Sequence, residues 1–125
     1  MTNIHSAVPK KNTSEVPIEL LESITIFVHR FAYGSENSKT AKQISNALGL
    51  IDSAQDNLIR KAVKILFNDC GVPIISNSKG FFFASNRAEM KKFIDNQEKR
   101  RMGLERNINS ALGYLPSLPE VRKEP

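Results

Sequence analysis

The sequence predicts a mainly α chain with one small β-hairpin, an α+β domain that runs into a long C-terminal helix. Three observations predict it. Apolar residues recur three or four positions apart in three separate stretches before Gly71. From Leu58 to Ala84 a helical pattern, a short turn and a tight pair of apolar runs follow in that order. Beyond Asn86 no proline appears until Pro116. At 125 residues the chain can bury one small core and not two. A hydrophobic content of 40% and a charged content of 25% are ordinary for a water-exposed domain.

Residues 1–16 are polar and without periodicity, and are expected to be a flexible arm. A compact domain is expected over residues 17–86. Pro17 suits the first turn of a helix, where its missing N–H costs nothing. Ile18, Leu21, Ile24, Val28 and Phe31, with Leu20 and Phe27 beside them, give that helix a broad apolar face ending near Tyr33 and Gly34. Thr40 and Gln43 have capping-box spacing and open a short second helix that buries Ala41, Ile44, Ala47 and Leu48. Gly49 closes it in a left-handed position. Ser53 and Asp56 repeat the box spacing, and either can cap the third helix, so its start lies open within residues 53–56. In that helix Leu58, Ala62, Ile65 and Leu66 are expected to face inward, supported by Ile59, Val63 and Cys70. Asn57, Arg60, Lys61, Lys64 and Asn68 share the outer face, and Gly71 stops the helix. Val72–Ser76 and Phe81–Ala84 form the hairpin around a four-residue loop ending in Gly80.

Asn86 and Glu89 open the last helix, expected over residues 87–113, with a tail of no regular structure over 114–125. Met90, Ile94, Gln97, Arg101, Leu104, Ile108, Ala111 and Leu115 follow alternating spacings of four and three, a heptad seam. Such a helix is too long to pack fully on a small domain. Gln97, Arg101, Leu104, Ile108 and Leu112 are therefore expected to serve a homodimer contact. Gly103 opposes it by about 1 kcal/mol of helix propensity.

Charge narrows the function. Residues 1–52 hold five basic and five acidic residues, and 111–125 hold two of each. Residues 53–110 hold 11 basic and 6 acidic residues, so the whole net charge of +5 lies there. A basic excess confined to one region is the footprint of a polyanion binder. Catalysis has little to stand on. His5, His29 and Cys70 match no zinc spacing, and there is no Gly-rich phosphate loop or nucleophile elbow. No enzyme activity, metal, cofactor or small-molecule substrate is expected. One cysteine excludes an internal disulfide, and Cys70 is expected to be a reduced, buried thiol. No apolar run approaches the roughly 18 residues of a membrane span, and residues 1–16 lack a secretory segment. The expected location is the cytoplasm.

A helix followed directly by a β-ribbon is the sequence form of a winged helix-turn-helix, which grips one DNA groove and its flanking phosphates. On that reading the third helix enters the major groove of double-stranded DNA and presents Ser53, Gln55, Asn57, Arg60, Lys61 and Lys64. Arg makes paired bonds to guanine, and Asn and Gln do so to adenine. The second helix offers backbone N–H groups near Lys39 and Thr40 to a phosphate. Asn77, Ser78 and Lys79 form the wing tip. The rival is a winged helix used only as a protein adaptor or assembly component. Exposed aromatics for single strands would need Phe81–Phe83 at the surface, whereas alternation along a half-buried strand favours core packing.

The stretch Ile59-Arg60, Gly71-Val72-Pro73-Ile74-Ile75-Ser76, Lys79-Gly80 and Phe81-Phe82, with a long helix from Arg87 onward, resembles small phage and Gram-positive winged-helix proteins. The part from Thr40 to Ala84 is similar to the N-terminal domain of biotin-operon repressors, and the wider resemblance runs to Leu112. It implies a DNA-binding role in phage or mobile-element replication or transcription regulation, in a bacterial or phage-infected host cell. The segment Leu50–Asn57 is longer than the turn in the biotin repressors, and nothing matches their ligase domain.

Overall fold

Helices α1 (Ile18–Phe31), α2 (Ala41–Ala47) and α3 (Gln55–Asp69), a hairpin of β1 (Ile74–Asn77) and β2 (Gly80–Phe83), and helix α4 (Arg87–Tyr114) follow in order in the computed structural model, which describes residues 16–50 and 55–121. Single 3₁₀ turns lie at Ser35–Asn37 and Leu115–Ser117. The chain is thus mainly helical, α+β, with one small antiparallel hairpin. It divides into two units, Met1–Phe93 and Ile94–Pro125.

α1 starts from Pro17, whose fixed φ of −60° serves as N-cap while its carbonyl accepts from the N–H groups of Leu20 and Leu21. Leu21, Ile24, Thr25 and Val28 are buried, and the Thr25 hydroxyl donates to the Leu21 carbonyl at 2.8 Å. Ile18 and Phe31, expected inward, are exposed at the two ends of this face. Phe31 instead lies 5.2 Å from the Phe27 ring, with the Arg30 guanidinium 5.4 Å above it. Val16, expected in the arm, is only 2% exposed and shares the core with Leu21. It precedes the N-cap in the staple position, which fixes how the chain enters the helix.

The capping box of α2 is present: Gln43 N–H donates to Thr40 Oγ1 at 3.1 Å, and Thr40 N–H to Gln43 Oε1 at 2.8 Å. Gly49 at φ +78° lets its own N–H reach the Asn46 carbonyl at 3.1 Å and the Leu50 N–H reach the Ser45 carbonyl at 2.9 Å. The buried Ser45 hydroxyl returns the bond to the Leu50 carbonyl at 2.8 Å. Ala47, expected inward, is exposed, because this closure turns the chain one residue later.

α3 packs against α1, α2 and β1. Its buried stripe is Ile59, Ala62, Val63 and Leu66, while Leu58 and Ile65, expected inward, are half-buried. Neighbours on several sides turn the centre of the stripe about one residue from the expected phase. Past Asp69, Gly71 at φ +70° brings the Val72 N–H back to the Leu66 carbonyl at 3.0 Å.

The strands pair Ile74 with Phe83, Ile75 with Phe82, Ser76 with Phe81 and Asn77 with Gly80. The connection is therefore two residues, Ser78 and Lys79, rather than the expected four. Alternation sends Ile74, Phe81 and Phe83 to the main core, and buries the paired Ile75 and Phe82 on the opposite face. The far edge of β2 is also paired. Lys39 and Phe81 exchange N–H···O bonds of 2.7 and 2.8 Å, and Phe83 bonds Ala32 and Gly34 at 2.7 and 2.9 Å. The two-stranded sheet is thus extended at the β2 edge by two isolated bridges from the segment between α1 and α2, parallel at Tyr33 and antiparallel at Lys39.

In α4 the Asn86 Oδ1 accepts from the Glu89 N–H at 2.9 Å. The helix ends at Tyr114, one residue past the expected limit, and Pro116 lies in a 3₁₀ turn within the tail expected to be irregular. None of its described residues is buried. In the first unit the Phe93 ring meets Phe67 edge-on at 5.6 Å.

Candidate nucleic-acid interface

α3 presents Asn57, Arg60, Lys61 and Lys64 on one face, and all four are exposed. Their spacing puts them on the side opposite Ile59, Ala62, Val63 and Leu66. Among the described residues no carboxylate pairs with Arg60 or Lys64. Gln55, the first residue of α3, is half-buried. Ser53, expected at the helix start, lies outside the described residues.

The hairpin adjoins this face. The Arg60 guanidinium stands 5.9 Å from the centroid of the Phe81 ring on β2. Arg packed over an aromatic ring keeps its donors in a fixed fork while the contact itself contributes about 0.5–1 kcal/mol at an exposed site. Sequence reasoning placed Phe81 in the core and missed this second use. The ring is half-buried, so one side packs inward while the other supports Arg60.

The turn of the hairpin is built by Asn77. Its Oδ1 accepts from the N–H groups of Lys79 at 2.9 Å and Gly80 at 3.1 Å, and its Nδ2 reaches the Ser35 carbonyl at 3.4 Å. The carboxamide expected at the wing tip is thus engaged in shaping the turn, which leaves Ser78 and Lys79 as the exposed tip side chains. Gly80 sits at φ +140°, and a Cβ there would lie 2.4 Å from the Lys39 carbonyl oxygen and 2.8 Å from the Thr40 nitrogen. Only glycine permits that approach of the hairpin to the start of α2. The same closeness changes the reading of Lys39 and Thr40. The Lys39 and Thr40 amides bond Phe81 and Gln43, and that of Gln43 bonds the Thr40 hydroxyl. These donors are already engaged. What Lys39 still offers an anion is its half-buried side chain.

A carboxylate holds this assembly to the start of α4. Glu89 accepts from the Ser35 N–H at 2.7 Å, the Ser85 N–H at 2.7 Å and the Ser85 hydroxyl at 2.8 Å. Burial pushes its carboxyl up, but these backbone amides and the serine hydroxyls outweigh burial and lower it to about 2. Ser35 is the common point, bonded to Glu89 through its N–H and to Asn77 through its carbonyl. The open cleft beside it, about 480 Å³, is lined by Tyr33, Asn37, Ser85 and Lys92 among others.

Among the described residues no group of three or more His, Cys, Asp or Glu side chains is placed to hold a metal ion. His29 is used in packing, edge-on to Phe83 at 4.8 Å and to Tyr33 at 5.6 Å. Cys70 is half-buried rather than buried, and burial followed by the Asp69 charge raises its thiol above the ordinary value. No helix in the described residues is long and apolar enough to cross a membrane. In the second unit Gln97, Arg101, Leu104, Ile108 and Leu112 are all exposed. Comparison of the chain with family models, curated proteins and solved structures finds no match.

Proposed function

We propose that this chain is a winged helix that binds double-stranded DNA, with α3 in the major groove and the β1–β2 turn on the adjoining backbone. The observation that carries the reading is the Arg60–Phe81 contact, which ties the exposed polar face of α3 to the hairpin and makes one surface of the two. Element order supports it: a helix, a bridging strand residue at Lys39, two more helices and a hairpin whose second strand pairs with that residue. Arg60, with its fork held over Phe81, is the group suited to a guanine edge, and Asn57 to adenine. Lys64 and Lys79 lie where phosphate contact positions the protein without reading sequence. The resemblance to phage winged-helix proteins suggests replication or transcription control of a phage or mobile element as the setting, in a bacterial cytoplasm.

The test is a mobility shift with random-sequence duplex at two salt concentrations. Retardation that weakens steeply as salt rises is expected, because neutralised phosphates release their counterions. Absence of retardation at low salt would refute DNA binding and leave a protein adaptor.

A further inference from the structure

We infer that the second unit pairs with a second copy of itself as a parallel, in-register two-stranded coiled coil centred on Arg101. Along α4 Ile94, Arg101 and Ile108 take the a positions and Gln97, Leu104 and Ala111 the d positions, while the next a position, Leu115, falls in the 3₁₀ turn beyond the helix end. Ile94, Leu104, Ile108 and Leu112 on α4, with Leu115 just past its end, are each between 52% and 63% exposed, so the seam is apolar at its two ends and polar between them at Gln97 and Arg101. Most helical stability in a protein comes from packing an amphipathic face, and none of the described residues of α4 is buried.

Charge says what covers it. In a parallel pair each g residue meets the e residue five positions on in the other copy. Arg100 is g and Glu105 is e, so two attractive contacts form by symmetry. An antiparallel pair sets e against e and g against g. In the registers that overlap the seam most fully, it places Arg100 against Arg100 and Glu105 against Glu98. The helix therefore matches itself in one direction and opposes itself in the other.

The centre of the seam argues for the same arrangement. Arg101 would face Arg101 of the second copy, yet each guanidinium is already neutralised on its own helix by Glu98 at 2.8 Å and Glu105 at 3.1 Å. Together with Arg100, the two helices contribute as many arginines as glutamates to this layer. A slip of one heptad would set Arg101, still carrying Glu98 and Glu105, against Ile94 or Ile108 and part polar from polar, so the polar layer favours the in-register pairing.

Sedimentation of the full chain tests this directly. A mass of two chains is expected, twice 14.0 kDa, and the double variant Leu104→Glu/Ile108→Glu should weaken the dimer at least about a hundredfold through loss of two apolar layers. Circular dichroism should show the first unit still folded in that variant. For direction, Ala111→Cys in a Cys70→Ser background places two thiols opposite one another at a d layer. Mild oxidation should then link the copies, since a parallel seam brings such Cα atoms within disulfide reach. A single-chain mass at high concentration, a dimer indifferent to the double variant, or a dimer that does not link through position 111 would each overturn the proposal.

Discussion

Replacing Gly80 by alanine should destabilise the first unit far more than one methyl group suggests. The residue sits at φ +140°, outside the range an L side chain adopts with ease, and forcing one there costs about 1–2 kcal/mol. The new Cβ would also lie 2.4 Å from the Lys39 carbonyl oxygen and 2.5 Å from its carbon, both backbone atoms that cannot swing aside. Relief requires β2 and the Lys39 segment to part, which breaks the two short N–H···O bonds between Lys39 and Phe81, worth about 1 kcal/mol each. The expected loss is about 3–4 kcal/mol, read as a drop in the urea midpoint. Gly49→Ala is the control, because Gly49 has φ +78° and open space around it. It should cost only the backbone term, about 1–2 kcal/mol. Equal losses in the two variants would refute the argument that close approach, and not conformation alone, requires glycine at position 80.

Three further outcomes are expected. Arg60→Ala should lower affinity for a selected duplex by about 1–3 kcal/mol and relax base preference at one position, whereas Lys79→Ala should weaken binding to all sequences alike and reduce the salt slope by about one. Unchanged selectivity in Arg60→Ala, measured by selection from a random duplex library, would remove that residue from base reading. Stability should fall with acid through Glu89: its folded value of about 2 lies below the roughly 4.3 of an unfolded glutamate, so its contribution is complete above the higher value and lost as pH falls through the lower. Glu89→Gln should flatten that dependence in denaturation curves between those limits. Leu66→Ala, at a fully buried position, should cost about 2–5 kcal/mol and lower the thermal midpoint accordingly.

Periodicity and capping chemistry made most of the helices legible. The Thr40–Gln43 box, the left-handed Gly49 and Gly71, and the outward set Asn57, Arg60, Lys61 and Lys64 stand where their spacing put them. The phase of the α3 stripe was less legible, since Leu58, Ile59, Ala62, Val63, Ile65 and Leu66 are apolar on more than half of the turn and only the neighbours decide which are central. The strand residue at Lys39 carries no pattern of its own. A one-residue bridge has no alternation to read, and its partner is far away in sequence. That gap also hid why position 80 must be glycine, since the close approach involves backbone from a distant segment. The part played by Phe81 was hidden for a similar reason, because a half-buried ring serves the core and the surface at once.

The bonds that Lys39 and Phe81 exchange have a kinetic consequence. A lone two-stranded hairpin does not persist in water, so β1 and β2 gain lasting order from packing on α1 and α3 and from the bridges to the segment between α1 and α2. That closure joins parts of the chain far apart in sequence, and such non-local contacts are intrinsically slower to form than local helix. The amide hydrogens of Lys39 and Phe81 should consequently show one shared opening free energy in hydrogen exchange, as a single opening event releases both.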